Sequence, residues 1–236
     1  FLTAIVGTMS NENSADFTKI TAPDHPAMDD LVERLRGPAN EMELAGIEAW
    51  PAQQLESCGQ YGVYEWFLGS SVGGQQWSDA DLVEGYLRLS SACLTTTFII
   101  TQRTGACRRI ANGESDFCRD HWLPGLLTGE LFTTVGISHL TTSHRHLAKP
   151  VLRAEETADG FILDGFSPWV TGAPFADVVV IGATLDDHRQ ILHVRRLGRP
   201  GSALTRRATQ TWAAWGLPPQ RPRSSGPRPC RYRRVS

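Results

Sequence analysis

Apolar positions recur at helical spacing through the first 129 residues and at strand spacing beyond them. Met28, Leu31, Val32 and Leu35 predict a helix over 28–44, with Asp29 and Asp30 in its first turn, where carboxylates suit the helix dipole. Gly37-Pro38 predicts a break or kink inside it. The stretch 50–74 is mixed, with Tyr61, Tyr64, Trp66 and Phe67 clustered and Gly73-Gly74 as a stop. Ser78 is a good N-cap ahead of Asp79 and Asp81, and Leu82, Val83, Tyr86 and Leu87 predict the apolar face of the helix that follows. Another helix is predicted through Leu94, Phe98, Ile99 and Ile100 to Arg109, stopped at Asn112-Gly113. The run Thr95-Thr96-Thr97 crowds χ1 there, so burial must compensate. A last helix begins at Ser115 and reaches Leu127, bent or restarted at Pro124.

After Gly129 the period becomes strand-like. Strands are predicted at 131–137, 151–156, 161–163, 166–170, 178–183 and 190–194. Asp159-Gly160 and Asp164-Gly165 are strong turn signals and Asp186-Asp187 a weaker one. Helices first and strands second give an α+β class, with a boundary near residue 129. Residues 1–27 are polar and poorly periodic, and are expected to be loose.

Composition adds two constraints. The chain has 236 residues, 41% of them hydrophobic, and no apolar run of the roughly 20 residues that a bilayer requires. Its five cysteines show no CxxC spacing, and with no secretory signal this predicts free thiols in a reducing compartment, the cytoplasm by default. The net charge of −2 hides a split: residues 193–236 hold 11 arginines, no lysine and no carboxylate. The tail 195–236 reads either as a basic arm for nucleic acid or a membrane surface, or as out-of-frame translation of a GC-rich gene. The second is favoured because the strand at 190–194 stops being legible mid-element.

Candidate chemistry lies between Leu131 and Ala183. Gly136-Ile137-Ser138-His139-Leu140-Thr141-Thr142-Ser143 is a loop of small and hydroxyl residues, which lets backbone N–H groups approach a ligand. Trp169-Val170-Thr171-Gly172-Ala173 is a Trp-x-Thr strand end. Asp159-Gly160-Phe161-Ile162-Leu163-Asp164-Gly165 precedes it, Ala176-Asp177-Val178-Val179-Val180 follows it, and Leu123-Pro124-Gly125-Leu126-Leu127-Thr128-Gly129-Glu130 lies upstream. In this order and spacing the segments resemble the acyl-CoA dehydrogenase family, over residues 28–192 and most closely over 122–183.

The resemblance implies an N-terminal helical domain at 28–129, a middle β-barrel domain at 130–194 that is incomplete, and FAD as cofactor. Val135 stands where the family has an aromatic. Ile137 and Ser138 would offer backbone N–H groups, and Ser138 its hydroxyl, to the pyrimidine side of the flavin. Ser143 would lie near the pyrophosphate, Trp169 would pack against the ring, and the Thr171 hydroxyl would reach the nitrogen that accepts hydride. The chain departs from the family pattern at His139 (usually Glu), Leu140 (usually Pro) and the glycine-poor Thr141-Thr142-Ser143. The hydroxyls of Thr142 and Ser143 and the cations His144 and Arg145 could compensate at a phosphate.

His139, His144 and His146 share one loop without a Cys or carboxylate at ligand spacing, so they are expected to be surface or phosphate-facing residues rather than metal ligands. The family's catalytic glutamate comes from a C-terminal helical domain. The 42 residues after Val194 contain no carboxylate, so no catalytic base is expected and the chain reads as a truncated or frame-shifted member. The implied activity is oxidation of a CH–CH group in an acyl-CoA or similar small molecule, by a family of homo-oligomers, with no membrane or nucleic-acid partner. A flavin-dependent monooxygenase of the same fold and a non-catalytic remnant are the alternatives.

Overall fold

The computed structural model describes residues 17–45, 50–141, 150–157, 160–197 and 216–217. Helix α1 (Ala27–Ala45) buries Met28, Leu31, Val32 and Leu35, and Gly37-Pro38 lies within it instead of ending it. Helix α2 (Ala52–Gln60) falls in the stretch of mixed patterning. Its buried residues are Gln54, Leu55 and Cys58, and two apolar positions are too few to show a period.

Ser78 caps α3 (Asp79–Ala92), its Oγ accepting the Asp81 N–H at 3.2 Å. The buried face of α3 is Leu82, Gly85 and Leu89, whereas Val83 and Leu87, expected on it, are exposed. Gly85 sets this phase. A Cβ there would lie 2.9 Å from the Trp66 ring, which stacks on Trp77 at 4.2 Å. Cys93 caps α4 (Leu94–Ala111), where Thr96 and Thr97 are buried and Thr97 Oγ1 donates to the Cys93 carbonyl at 3.0 Å. Burial thus offsets the χ1 crowding. Helix α5 (Asp116–Thr128) starts at the Ser115 cap, runs through Pro124 and ends at Gly129, whose φ of +84° is left-handed.

Arg103 on α4 is a fully buried cation. Its guanidinium lies 3.5 Å from the Tyr64 ring centroid and donates to the carbonyls of Leu126 and Leu131. Leu126 is in the last turn of α5, where carbonyls carry the negative end of the helix dipole. One side chain therefore fixes α4, α5 and the chain entering the sheet. Cys58, Cys93 and Cys107 are buried free thiols.

The sheet comprises β1 (Thr133–Gly136), β2 (Leu152–Thr157), β3 (Gly160–Gly165), β5 (Val178–Leu185) and β6 (Gln190–Arg196). A four-residue helix α6 (Ser138–Thr141) follows β1, and β4 (Ser167–Pro168) pairs antiparallel with β7 (Gly216–Leu217). Strand β5 is central. One edge pairs antiparallel with β6, and the other pairs in parallel first with β1, from Val178 to Ile181, then with β2, at Thr184 and Leu185. Its Val178 and Val180 join the helical core, while Val179, Ile181, Ala183 and Leu185 join a second cluster with Leu152 and Ala154. This sheet is open, so the expected barrel is not closed among the described residues. The strand predicted at 166–170 shrinks to two residues because Trp169 adopts a left-handed φ of +54°. Strand β6 runs two residues past its predicted end. No helix among the described residues is long and apolar enough to cross a membrane.

Asp177 fixes where β5 begins. Its carboxylate accepts the Phe132 N–H at 3.0 Å, its own N–H donates to the Phe132 carbonyl at 2.9 Å, and its carbonyl accepts the Leu197 N–H at 2.7 Å. Asp177→Ala is expected to cost about 1–3 kcal/mol by leaving a half-buried amide unpaired, with Asp177→Asn losing less. Urea unfolding of the two variants measures this.

His193 on β6 is pushed down to about 4, first by burial and then by the neighbouring Arg195. A histidine held below its ordinary value contributes stability that is complete above about pH 6.5 and lost as the pH falls through about 4. The unfolding free energy from urea titrations should therefore drop across that window, by on the order of 3 kcal/mol at most, and His193→Gln should flatten the drop.

Candidate functional site

The two candidate segments lie about 30 residues apart in sequence and meet at the end of β1. Ser138 Oγ donates to the Pro168 carbonyl at 3.0 Å, and Ser167 Oγ donates to the Gly136 carbonyl at 3.0 Å. Each bond holds a peptide plane of the opposite segment. The Gly136 carbonyl shares its plane with the Ile137 N–H, and the Pro168 carbonyl shares its plane with the Trp169 N–H. The two segments form a reciprocal clasp.

Glycine makes the clasp possible. A Cβ at Gly136 would lie 2.7 Å from Ser167 Oγ and 3.0 Å from Val170 Cγ2. On the far side, Gly172 has a φ of +68°, and a Cβ there would lie 2.8 Å from the Trp50 ring. Trp50 stacks on Phe175 at 4.2 Å and meets Phe132 edge-on at 5.1 Å, so it anchors the turn after Thr171 to the start of β1.

Trp169 is 60% exposed and carries the left-handed backbone of the segment. A bulky residue in that conformation is strained, and such strain concentrates at ligand sites. Thr171 is half-buried two residues further on. The Ile137 side chain turns to β5, where its Cγ2 lies 3.2 Å from the position of a Gly182 Cβ. Val135 turns the other way, to α4 and the helical core, with its Cγ1 3.7 Å from the position of a Gly105 Cβ. The clasp thus gathers Ser138, Trp169 and the Ile137 backbone, while the Val135 side chain faces away from it. Ser143, with Thr142, His144, Arg145 and His146, lies outside the described residues.

His139 corrects an expectation. It is buried, not surface-facing, with Nε2 2.7 Å from the Gly182 carbonyl and Nδ1 3.5 Å from Ser167 Oγ. The α6 turn, closed by the Leu140 N–H to the Ile137 carbonyl at 2.9 Å, rolls the imidazole beneath the loop. Sequence reasoning missed Ser167, Gly182 and Trp50. A glycine inside the apolar β5 run is a signal of close approach, and Gly182 fits it: a Cβ there would lie 2.2 Å from Leu140 Cδ1. Among the described residues no cluster of three or more His, Cys, Asp or Glu could hold a metal ion.

No family model matches the chain. The short-chain-specific acyl-CoA dehydrogenase of Clostridium acetobutylicum is 23% identical over 145 residues, covering 61% of this chain and 38% of that protein. The FAD complex of PigA matches with a TM-score of 0.61 at 20% identity, over 75% of this chain and 49% of that one. Glutaryl-CoA dehydrogenase from Mycobacterium smegmatis matches with a TM-score of 0.57 at 21% identity, over 75% and 47%. The chain therefore has an acyl-CoA dehydrogenase-like fold over three quarters of its length, and it spans about half or less of the length of these relatives.

Gly136→Ala should separate the two segments. It is expected to lower stability by about 1–3 kcal/mol, the usual effect of overpacking a close contact. Thermal unfolding tests this, and Ser167→Gly in the same background should recover part of the loss by clearing the clash.

Proposed function

We propose that the chain forms the flavin-side part of an FAD-dependent oxidoreductase of the acyl-CoA dehydrogenase type, acting on a CH–CH group of an acyl-CoA or similar small molecule. The reading divides the chain near residue 129 into a helical part and a flavin-side sheet part. The observation that carries it is the clasp between Gly136–Ser138 and Ser167–Trp169. It presents an exposed indole beside a loop whose peptide planes are fixed. The curated relative is an acyl-CoA dehydrogenase, and PigA was solved as an FAD complex.

The residues fit a flavin. A planar ring needs an apolar face and hydrogen-bond donors along its polar edge, and the cradle offers both. Trp169 would supply the face, and the Ile137 and Ser138 amides would serve the polar edge. Thr171 would serve the nitrogen side, and Ser143 the pyrophosphate. Bound there, FAD supplies the hydride acceptor. The protein's share is to orient the ring and exclude water from one face of it. None of the described carboxylates is assigned as the base that removes the proton alpha to the acyl carbonyl. In this reading the base lies outside the flavin side of the site.

Titration of the purified protein with FAD, followed by flavin absorbance and fluorescence, tests the proposal. Uptake with a structured yellow band is expected. Trp169→Ala should weaken affinity about tenfold, in line with loss of one aromatic contact, and Ser138→Ala should shift the visible band. Protein that stays colourless in excess FAD would sink the reading, and unchanged binding by Trp169→Ala would misplace the ring.

A further inference from the structure

The edge of β5 facing β1 and β2 contains a fork. Pairing with β1 ends at Ile181 and pairing with β2 begins at Thr184, so Gly182 and Ala183 have no ladder partner on that edge among the described strands. A carbonyl in such a gap is costly when buried without a donor. The Gly182 carbonyl meets His139 Nε2 at 2.7 Å. A carbonyl only accepts, so Nε2 carries the proton, and Nδ1 is the nitrogen turned toward Ser167 Oγ at 3.5 Å. Ser167 in turn donates to the Gly136 carbonyl at 3.0 Å. Ser167 has a single hydroxyl proton, committed to that carbonyl, so the ring meets Ser167 through the packing of Nδ1 against Oγ rather than through a second hydrogen bond. Gly182 carbonyl, His139 imidazole, Ser167 hydroxyl and Gly136 carbonyl form one buried line of contacts.

We propose that His139 is a positioning residue for the flavin-side loop: it fills the fork in the sheet and, through Ser167, sets the peptide plane that aims the Ile137 N–H. The inference rests on the flavin reading, because it is the amide at Ile137 that would meet the ring's polar edge. The geometry favours imidazole for this role. It joins a β5 carbonyl to a serine on β4 with a rigid planar body, and its two nitrogens face two different partners. The close approach also needs Gly182, where any side chain would collide with Leu140. The line ties β5, β4 and the end of β1 around one ring, so a change at His139 reaches the loop without touching a ligand.

The test compares FAD affinity, the visible flavin spectrum and thermal stability for His139→Leu, His139→Gln, Ser167→Ala and the His139→Leu/Ser167→Ala pair. His139→Leu and Ser167→Ala should each weaken FAD about tenfold, the equivalent of one hydrogen bond, and should displace the visible band in the same direction. His139→Gln keeps an N–H donor and should stay within about threefold of wild type. The double variant should bind no more weakly than the worse single, because both break the same line. Ser167→Ala removes one buried oxygen and carries the test if His139→Leu does not fold. Additive losses in the double variant, or single variants that lose stability while keeping wild-type affinity and spectrum, overturn the positioning role and leave the flavin reading intact. Wild-type protein that takes up no FAD overturns that reading, and this inference with it.

Discussion

The structure depends on β5 being buried on both faces. Its alternating side chains enter two different cores, Val178 and Val180 on the helical side and Val179, Ile181 and Ala183 on the other. A strand in that position cannot slip by one residue without exchanging the two sets of side chains. Asp177 removes the remaining freedom at its start, because one residue bonds to Phe132 twice and to Leu197 once. The rest of this sheet is placed by reference to this strand: β1 from Val178 to Ile181, the β2–β3 hairpin through Thr184 and Leu185, and β6 along the opposite edge.

The candidate site arises where that order is interrupted. Two parallel strands share one edge of β5, and the chain leaving β1 must turn away before β2 arrives. Small residues at Gly136 and Gly182 allow the departing loop to stay in contact with the sheet, and the two serine-to-carbonyl bonds join it to the segment bearing Trp169. Cofactor sites commonly form at such topological switch points at strand carboxyl ends. Rigidity here comes from side chains holding backbone planes.

Much of the helical layer was legible because its signals are local. The Ser78 and Ser115 caps and the Gly129 stop act within a turn of where they stand. The phase of α3 was misread because Gly85, which has no hydrophobic signature, decides which side meets Trp66 and Trp77. Helix α2 escaped notice because one of its three buried residues is Gln54. The motif segments around Ser138 and Trp169 were legible as text, but their clasp was not, since Ser167 reads as an ordinary strand residue until its partner is known. His139 was misjudged for the same reason: burial of a polar ring depends on a carbonyl 43 positions away.

The sheet's connectivity also sets the order in which the molecule can assemble. Thr133 pairs with Val178, 45 residues further along the chain, whereas the turns within each helix and the β2–β3 hairpin close over short distances. Local contacts form quickly and distant parallel pairings slowly. During synthesis the helical layer can therefore collapse around Arg103 and Trp66 while β1 waits, its edge open, for β5 to emerge. The fork, and the His139 contact that fills it, come into being only at that late docking step. Until then the nascent chain carries an unpaired strand, which is the interval in which it is most exposed to misassembly.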